Sequence, residues 1–257
     1  MLTNEQFIAV FKQFDKDGNG YIAAAELDAF IAMLLRDGDG APAPDEATVA
    51  AKRNAILDAH DADHDGRVSL AEAARLLPVV ENFLAGFGSS ETLTSVELLR
   101  IWYHYDNDRS GYIEGSELQG FLLDLVRSKS AGVEISTDLI DEYAATLLEI
   151  FDRDGNGKLQ LDELSEILPV ESNFLRAFVS DGSLSADQFN QVFAHYDQDG
   201  DGEIAAAELQ GLVRDLMELQ GKSVSIEELE AFKQQILASG DGDHSGSLSR
   251  DELVKLF

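Results

Sequence analysis

Six stretches of this chain are written on one twelve-residue pattern. They are "DKDGNGYIAAAE" from Asp15, "DADHDGRVSLAE" from Asp61, "DNDRSGYIEGSE" from Asp106, "DRDGNGKLQLDE" from Asp152, "DQDGDGEIAAAE" from Asp197 and "DGDHSGSLSRDE" from Asp241. Their first residues fall 44 to 46 apart, and a longer period is superimposed, since Asp15 to Asp106 and Asp106 to Asp197 are each 91 residues. The unit is therefore a pair of repeats present three times, which leaves little of the 257 residues for any other architecture. The pairs are expected over 1–88, 89–180 and 181–257, packed together as one globular unit.

The spacing has a mechanical reading. Calcium takes about six to eight hard oxygen ligands, and a loop wraps it by presenting positions 1, 3 and 5, the carbonyl of position 7, and a two-oxygen carboxylate at position 12. This is the EF-hand calcium loop. Positions 1 and 3 are Asp15 and Asp17, Asp61 and Asp63, Asp106 and Asp108, Asp152 and Asp154, Asp197 and Asp199, and Asp241 and Asp243. Position 5 is always an oxygen donor: Asn19, Asp65, Ser110, Asn156, Asp201 and Ser245. The position-7 carbonyls belong to Tyr21, Arg67, Tyr112, Lys158, Glu203 and Ser247, and the closing carboxylates to Glu26, Glu72, Glu117, Glu163, Glu208 and Glu252. Position 6, where the chain must turn at positive φ, is glycine six times. Near misses show that the pattern discriminates. "DGDGAPAP" from Asp37 has Ala41 at the fifth place and Pro42 at the turn, and "DGSLSADQF" from Asp181 lacks an acid at the third; both read as linkers.

Amphipathic helices are expected on both sides of every loop. Four residues before each lie Phe11, Leu57, Trp102, Leu148, Phe193 and Leu237, and four after each closing glutamate lie Phe30, Leu76, Phe121, Ile167, Leu212 and Leu256. Thr3 with Gln6, Thr94 with Glu97 and Ser225 with Glu228 read as capping boxes. The aliphatic residues at position 8 suit a short antiparallel contact between partner loops, pairing Ile22 with Val68, Ile113 with Leu159 and Ile204 with Leu248. The first two pairs end alike, in "ARLLPVVENFLAGF" and "SEILPVESNFLRAF". Pro78 and Pro169 stop an exit helix there, and an apolar segment follows that packs one pair against the next. The fold class is all-α: six helix–loop–helix hands in three pairs, with a two-stranded contact in each.

"LLPVVENFL", "RIWYHYDNDRSGYIEGSELQGFLLDL" and "FAHYDQDGDGEIAAAELQGLVRDL" resemble the six-EF-hand family of calbindin, calretinin and secretagogin. The resemblance runs through essentially the whole chain. It implies a compact body of three pairs, cytoplasmic calcium buffering and, in some members, calcium-dependent partner binding. This chain departs from familiar vertebrate members, in which the second or sixth hand has lost ligands, because here all six are intact.

The expected cofactor is Ca2+, up to six ions. Carboxylates at ligand positions number three in loops one, four and six and four in loops two and five; loop three reaches four with Glu114. Six divalent ions would take the formal charge from −30 to −18, relieving self-repulsion. Loop six is expected to be the weakest, since Gly240 and Gly242 loosen its lead-in helix and five residues follow Glu252. The five histidines show no ligand spacing and are assigned solvent-facing or packing roles.

The charge excludes nucleic acid as a partner, and no apolar run is long enough to insert into a membrane. No nucleophile elbow, phosphate-cradling loop or cysteine is present, so no enzyme activity is expected. With neither a signal-like start nor a retrieval tail, the chain reads as a cytoplasmic monomer that buffers calcium. The alternative is a sensor that changes shape and binds target proteins. It is disfavoured because the three methionines, Met1, Met33 and Met217, are scattered rather than gathered into a groove. A secretory-pathway calcium protein is the least favoured reading.

Overall fold

The computed structural model describes residues 4–18, 20–35, 44–61, 64–70, 72–73, 82–87, 92–129, 137–178, 184–222 and 224–255. Thr3, Asn19, Asp63, Leu76, Pro78 and Leu256 lie outside them, as do the linker segments at 36–43 and 179–183. Helices dominate: α1 (Asn4–Phe14), α2 (Ala24–Leu34), α3 (Glu46–His60), α4 (Ser95–Tyr105), α5 (Gly115–Lys129), α6 (Thr137–Phe151), α7 (Leu161–Ile167), α8 (Ala186–Tyr196), α9 (Ala206–Leu219), α10 (Ile226–Gly240) and α11 (Arg250–Leu253). Among the described residues no helix is long and apolar enough to cross a membrane.

The loops pair through position 8. β1 (Tyr21–Ala23) and β2 (Arg67–Ser69) run antiparallel with Ile22 opposite Val68, and β3 (Glu203–Ile204) and β4 (Leu248–Ser249) put Ile204 opposite Leu248. In the middle pair a single bridge joins Ile113 to Leu159 through reciprocal hydrogen bonds of 2.9 and 3.0 Å. All six side chains are buried, so each short rung is anchored in apolar core.

The chain forms two compact units, residues 1–85 with 114–149, and 86–113 with 150–257. Each is organised around one pairing of long helices, and the two pairings are related by the 91-residue period. In the first unit α1 packs on α5, burying Phe7, Ile8, Phe11 and Phe121. In the second, α4 packs on α9, so closely that a Cβ on Gly211 would fall 2.8 Å from the backbone nitrogen of Val96. A polar clamp accompanies each pairing. Asn82 Nδ2 donates to the Asp124 carbonyl (2.8 Å) on α5, and Asn173 Nδ2 to the Asp215 carbonyl (2.7 Å) on α9. Each clamp leads into a short 3-10 turn, Phe83–Phe87 or Phe174–Ala177, the apolar segment that follows hand two or hand four.

The lead-in helices are not equivalent. Phe11, Trp102 and Phe193 of hands one, three and five are buried, whereas Leu57, Leu148 and Leu237 of the even hands are only half-buried. Helices α1 and α4 and the inner face of α8 line the cores, while α3, α6 and α10 keep one flank in solvent; Ile150 on α6 is 66% exposed. The sequence pattern, apolar at all six places, does not distinguish the two classes. Caps start α4, where Thr94 and Glu97 exchange bonds of 3.2 and 2.8 Å, and α10, where Ser225 accepts from Glu228 N.

Candidate metal centres

Each loop is first a hydrogen-bonded frame. In all six, the position-6 glycine donates its N–H to Oδ2 of the position-1 aspartate: Gly20 to Asp15, Gly66 to Asp61, Gly111 to Asp106, Gly157 to Asp152, Gly202 to Asp197 and Gly246 to Asp241, at 2.8–3.2 Å. This needs positive φ at position 6, which runs from 77° at Gly157 to 89° at Gly202. In loops two to six the position-5 side chain accepts from the amide of position 7: Asp65 from Arg67, Ser110 from Tyr112, Asn156 from Lys158, Asp201 from Glu203 and Ser245 from Ser247. That bond fixes where the position-5 oxygen sits.

The closing glutamate ties the loop's ends together. In loops one, four, five and six, Oε1 accepts from the amide of position 2 (Lys16, Arg153, Gln198, Gly242) and Oε2 from that of position 9 (Ala23, Gln160, Ala205, Ser249). Glu72 Oε2 accepts from both the amide and the hydroxyl of Ser69, and Glu117 Oε2 from Glu114 N. Ser249, at position 9 of loop six, likewise gives its hydroxyl to Glu252 (2.7 Å).

The acids converge. One carboxylate oxygen from each of Asp15, Asp17 and Glu26 lies within 4.8 Å of the other two, and the same holds for Asp106, Asp108 and Glu117; Asp152, Asp154 and Glu163; Asp197, Asp199 and Glu208; and Asp241, Asp243 and Glu252. The matching trio of loop two includes Asp63, outside the described residues, while Asp61 and Glu72 are buried there. Two oxygens test whether a cation fits. Asp106 Oδ1 and Asp197 Oδ1 are buried with no hydrogen-bond partner. A buried carboxylate oxygen left unpaired is costly, and a hard divalent ion amid oxygen donors removes that cost. The local electrostatics follow the frame. Amides of Gly157 and Gly246 hold Asp152 and Asp241 below the usual carboxylate range, the Ser249 hydroxyl and amide do so for Glu252, and burial pushes Asp106 up.

One feature went unread in the sequence. Position 7 is expected to offer only a carbonyl, yet its side chains meet across each pair. The Arg67 guanidinium lies 5.5 Å from the Tyr21 ring, Lys158 Nζ 4.8 Å from the Tyr112 ring, and Ser247 donates its hydroxyl to Glu203. A complementary couple at each pair was the available signal. The histidines stay away from the loops' interiors: His64 and His244 are exposed, and His195 stacks on Phe174 at 3.7 Å.

The family model described as an EF-hand domain pair matches residues 4–77, 95–168 and 186–257. The chain is 41% identical to calretinin of Gallus gallus over 254 residues, covering 98% of this chain and 91% of the relative. It is 38% identical to calbindin-32 of Drosophila melanogaster over 264 residues (100% and 85%) and 37% identical to secretagogin of Xenopus laevis over 255 residues (97% and 93%). With three EF-hand pairs in register and near-complete coverage, the chain is a calcium-binding protein and belongs to the EF-hand family of calbindin, calretinin and secretagogin.

Proposed function

We propose that the protein is a cytoplasmic, non-enzymatic calcium buffer in which each of the three pairs acts as a binding module. Up to six ions would be held by the position-1, 3, 5 and 12 side chains named above and by the carbonyls of Tyr21, Arg67, Tyr112, Lys158, Glu203 and Ser247. The observation that carries this reading is the uniform frame: all six loops make the same glycine-to-aspartate bond, so none has lost its turn. The methionines favour buffering over sensing, because Met217 is packed in the core and Met33 is its only described companion.

A second reading is favoured by one feature. A groove of about 490 Å³ between α9 and α10, lined by Ala206, Leu237 and Ala238 but equally by Lys233, Gln234 and Asp241 of loop six, offers a target protein a mixed polar and apolar surface. A calcium titration that counts bound ions, run with an apolar-surface dye, separates the two. Six ions with little change in dye signal is the expected result; a large calcium-dependent rise in dye binding would make the sensor reading primary.

A further inference from the structure

We propose that Arg100, on the lead-in helix of hand three, sets the calcium affinity of loop five by holding its guanidinium against the carboxylate that closes that loop. The inference rests on the reading that Glu208 closes loop five around the ion. Arg100 Nη2 lies 3.7 Å from Glu208 Oε1, with the glutamate buried and the arginine 40% exposed. The same oxygen accepts from Gln198 N at 2.9 Å and Asp199 N at 3.2 Å. A second contact from the same helix reaches the loop's other end, since Gln198 Nε2 donates to Thr94 Oγ1, at the cap of α4, at 2.8 Å. Helix α4 of one pair thus holds positions 2 and 12 of a loop in the next.

The consequence is electrostatic. A divalent ion must share the oxygen that faces Arg100, and a cation that close both competes for it and repels the newcomer. Arg100 therefore favours the ion-free loop, and by reciprocity loading loop five weakens the Arg100–Glu208 tie. Loop five carries four ligand carboxylates, and the arginine moderates them. The 91-residue period supplies the contrast, because the place of Arg100 on α4 is held on α1 by Ala9.

The test is a calcium titration of the full chain followed by the amide resonances of Gly202, inside loop five, and Gly20, in loop one. Arg100→Gln is expected to tighten the Gly202 response about two- to fivefold, the range of a half-exposed ion pair, and to leave Gly20 unchanged. Arg100→Lys, which keeps the charge, should stay near the wild type, and the gain should shrink as salt rises. An unchanged or weakened Gly202 response in Arg100→Gln would overturn the proposal. So would equal tightening by the lysine variant, because helix packing rather than charge would then be at work. Glu208→Gln distinguishes failure of the underlying reading: if Gly202 still responds to calcium at the same concentration, loop five does not depend on Glu208 at all.

Discussion

At position 4 of the loops the backbone sits in the left-handed region in all six hands. Gly18, Gly155 and Gly200 have φ of 69°, 70° and 73°, but His64, Arg109 and His244 adopt 60°, 58° and 60° with side chains attached. Left-handed backbone costs a non-glycine residue about 1–2 kcal/mol, partly offset because glycine loses more freedom on folding. Gly155→Ala should therefore lower stability by about 1 kcal/mol, although a methyl there meets nothing within 4 Å. His244→Gly should raise it by up to about 1 kcal/mol. Calcium-free thermal unfolding of both variants checks the pair, and a His244→Gly protein no more stable than the wild type would show that histidine sits there without strain. The sequence pattern made position 6 legible because glycine occupies it six times. Position 4 was hidden because glycine occupies it only three times and no ligand comes from it.

Helices and linkers carry the next level of information. The repeated phrase around Phe83 and Phe174 was readable as apolar packing, but the asparagine before each phenylalanine was not, because its partner lies 42 residues further on. Nor does "VRDL" announce that Asp215 is buried. There Ser95 and Tyr196 donate their hydroxyls to its carboxylate at 2.6 and 2.5 Å, and Arg214 lies 3.4 Å away. Burial pushes the Asp215 carboxyl up in spite of those donors, while Asn173 grips the backbone carbonyl of the same residue. Asn173→Ala removes the second donor to the Asp215 carbonyl and leaves the buried Leu175 amide without the Asn173 Oδ1 acceptor, and should cost about 1–3 kcal/mol in denaturant unfolding. Gly211→Ala tests the neighbouring contact by a different mechanism. Its added methyl meets the Val96 backbone at 2.8 Å, forcing α4 from α9 at a cost of about 1–3 kcal/mol. A Gly211→Ala protein as stable as the wild type would mean that these helices are not in such close contact.

Across the whole molecule, the acids that shape the loops oppose the fold that contains them. The chain has a formal charge of −30, and the position-1 and position-12 carboxylates of most loops are buried within it. Bound ions act in two ways. Each site adds about 2.7 kcal/mol when free calcium is 100 times its dissociation constant, by linkage alone. Neutralisation also removes repulsion among neighbouring loops, and only this second part is screened by salt. Chelation should therefore lower the melting temperature by well over about 10 °C, since about 1 kcal/mol moves a domain of this size by several degrees. Raising potassium chloride from about 0.05 to 0.5 M should recover part of that loss in the calcium-free protein and move the loaded protein, at a formal charge of −18, by less. Calorimetry of the four conditions reads both effects. If salt does not narrow the gap, repulsion is not what calcium relieves, and linkage together with the buried, unpaired oxygens of Asp106 and Asp197 must account for the whole difference.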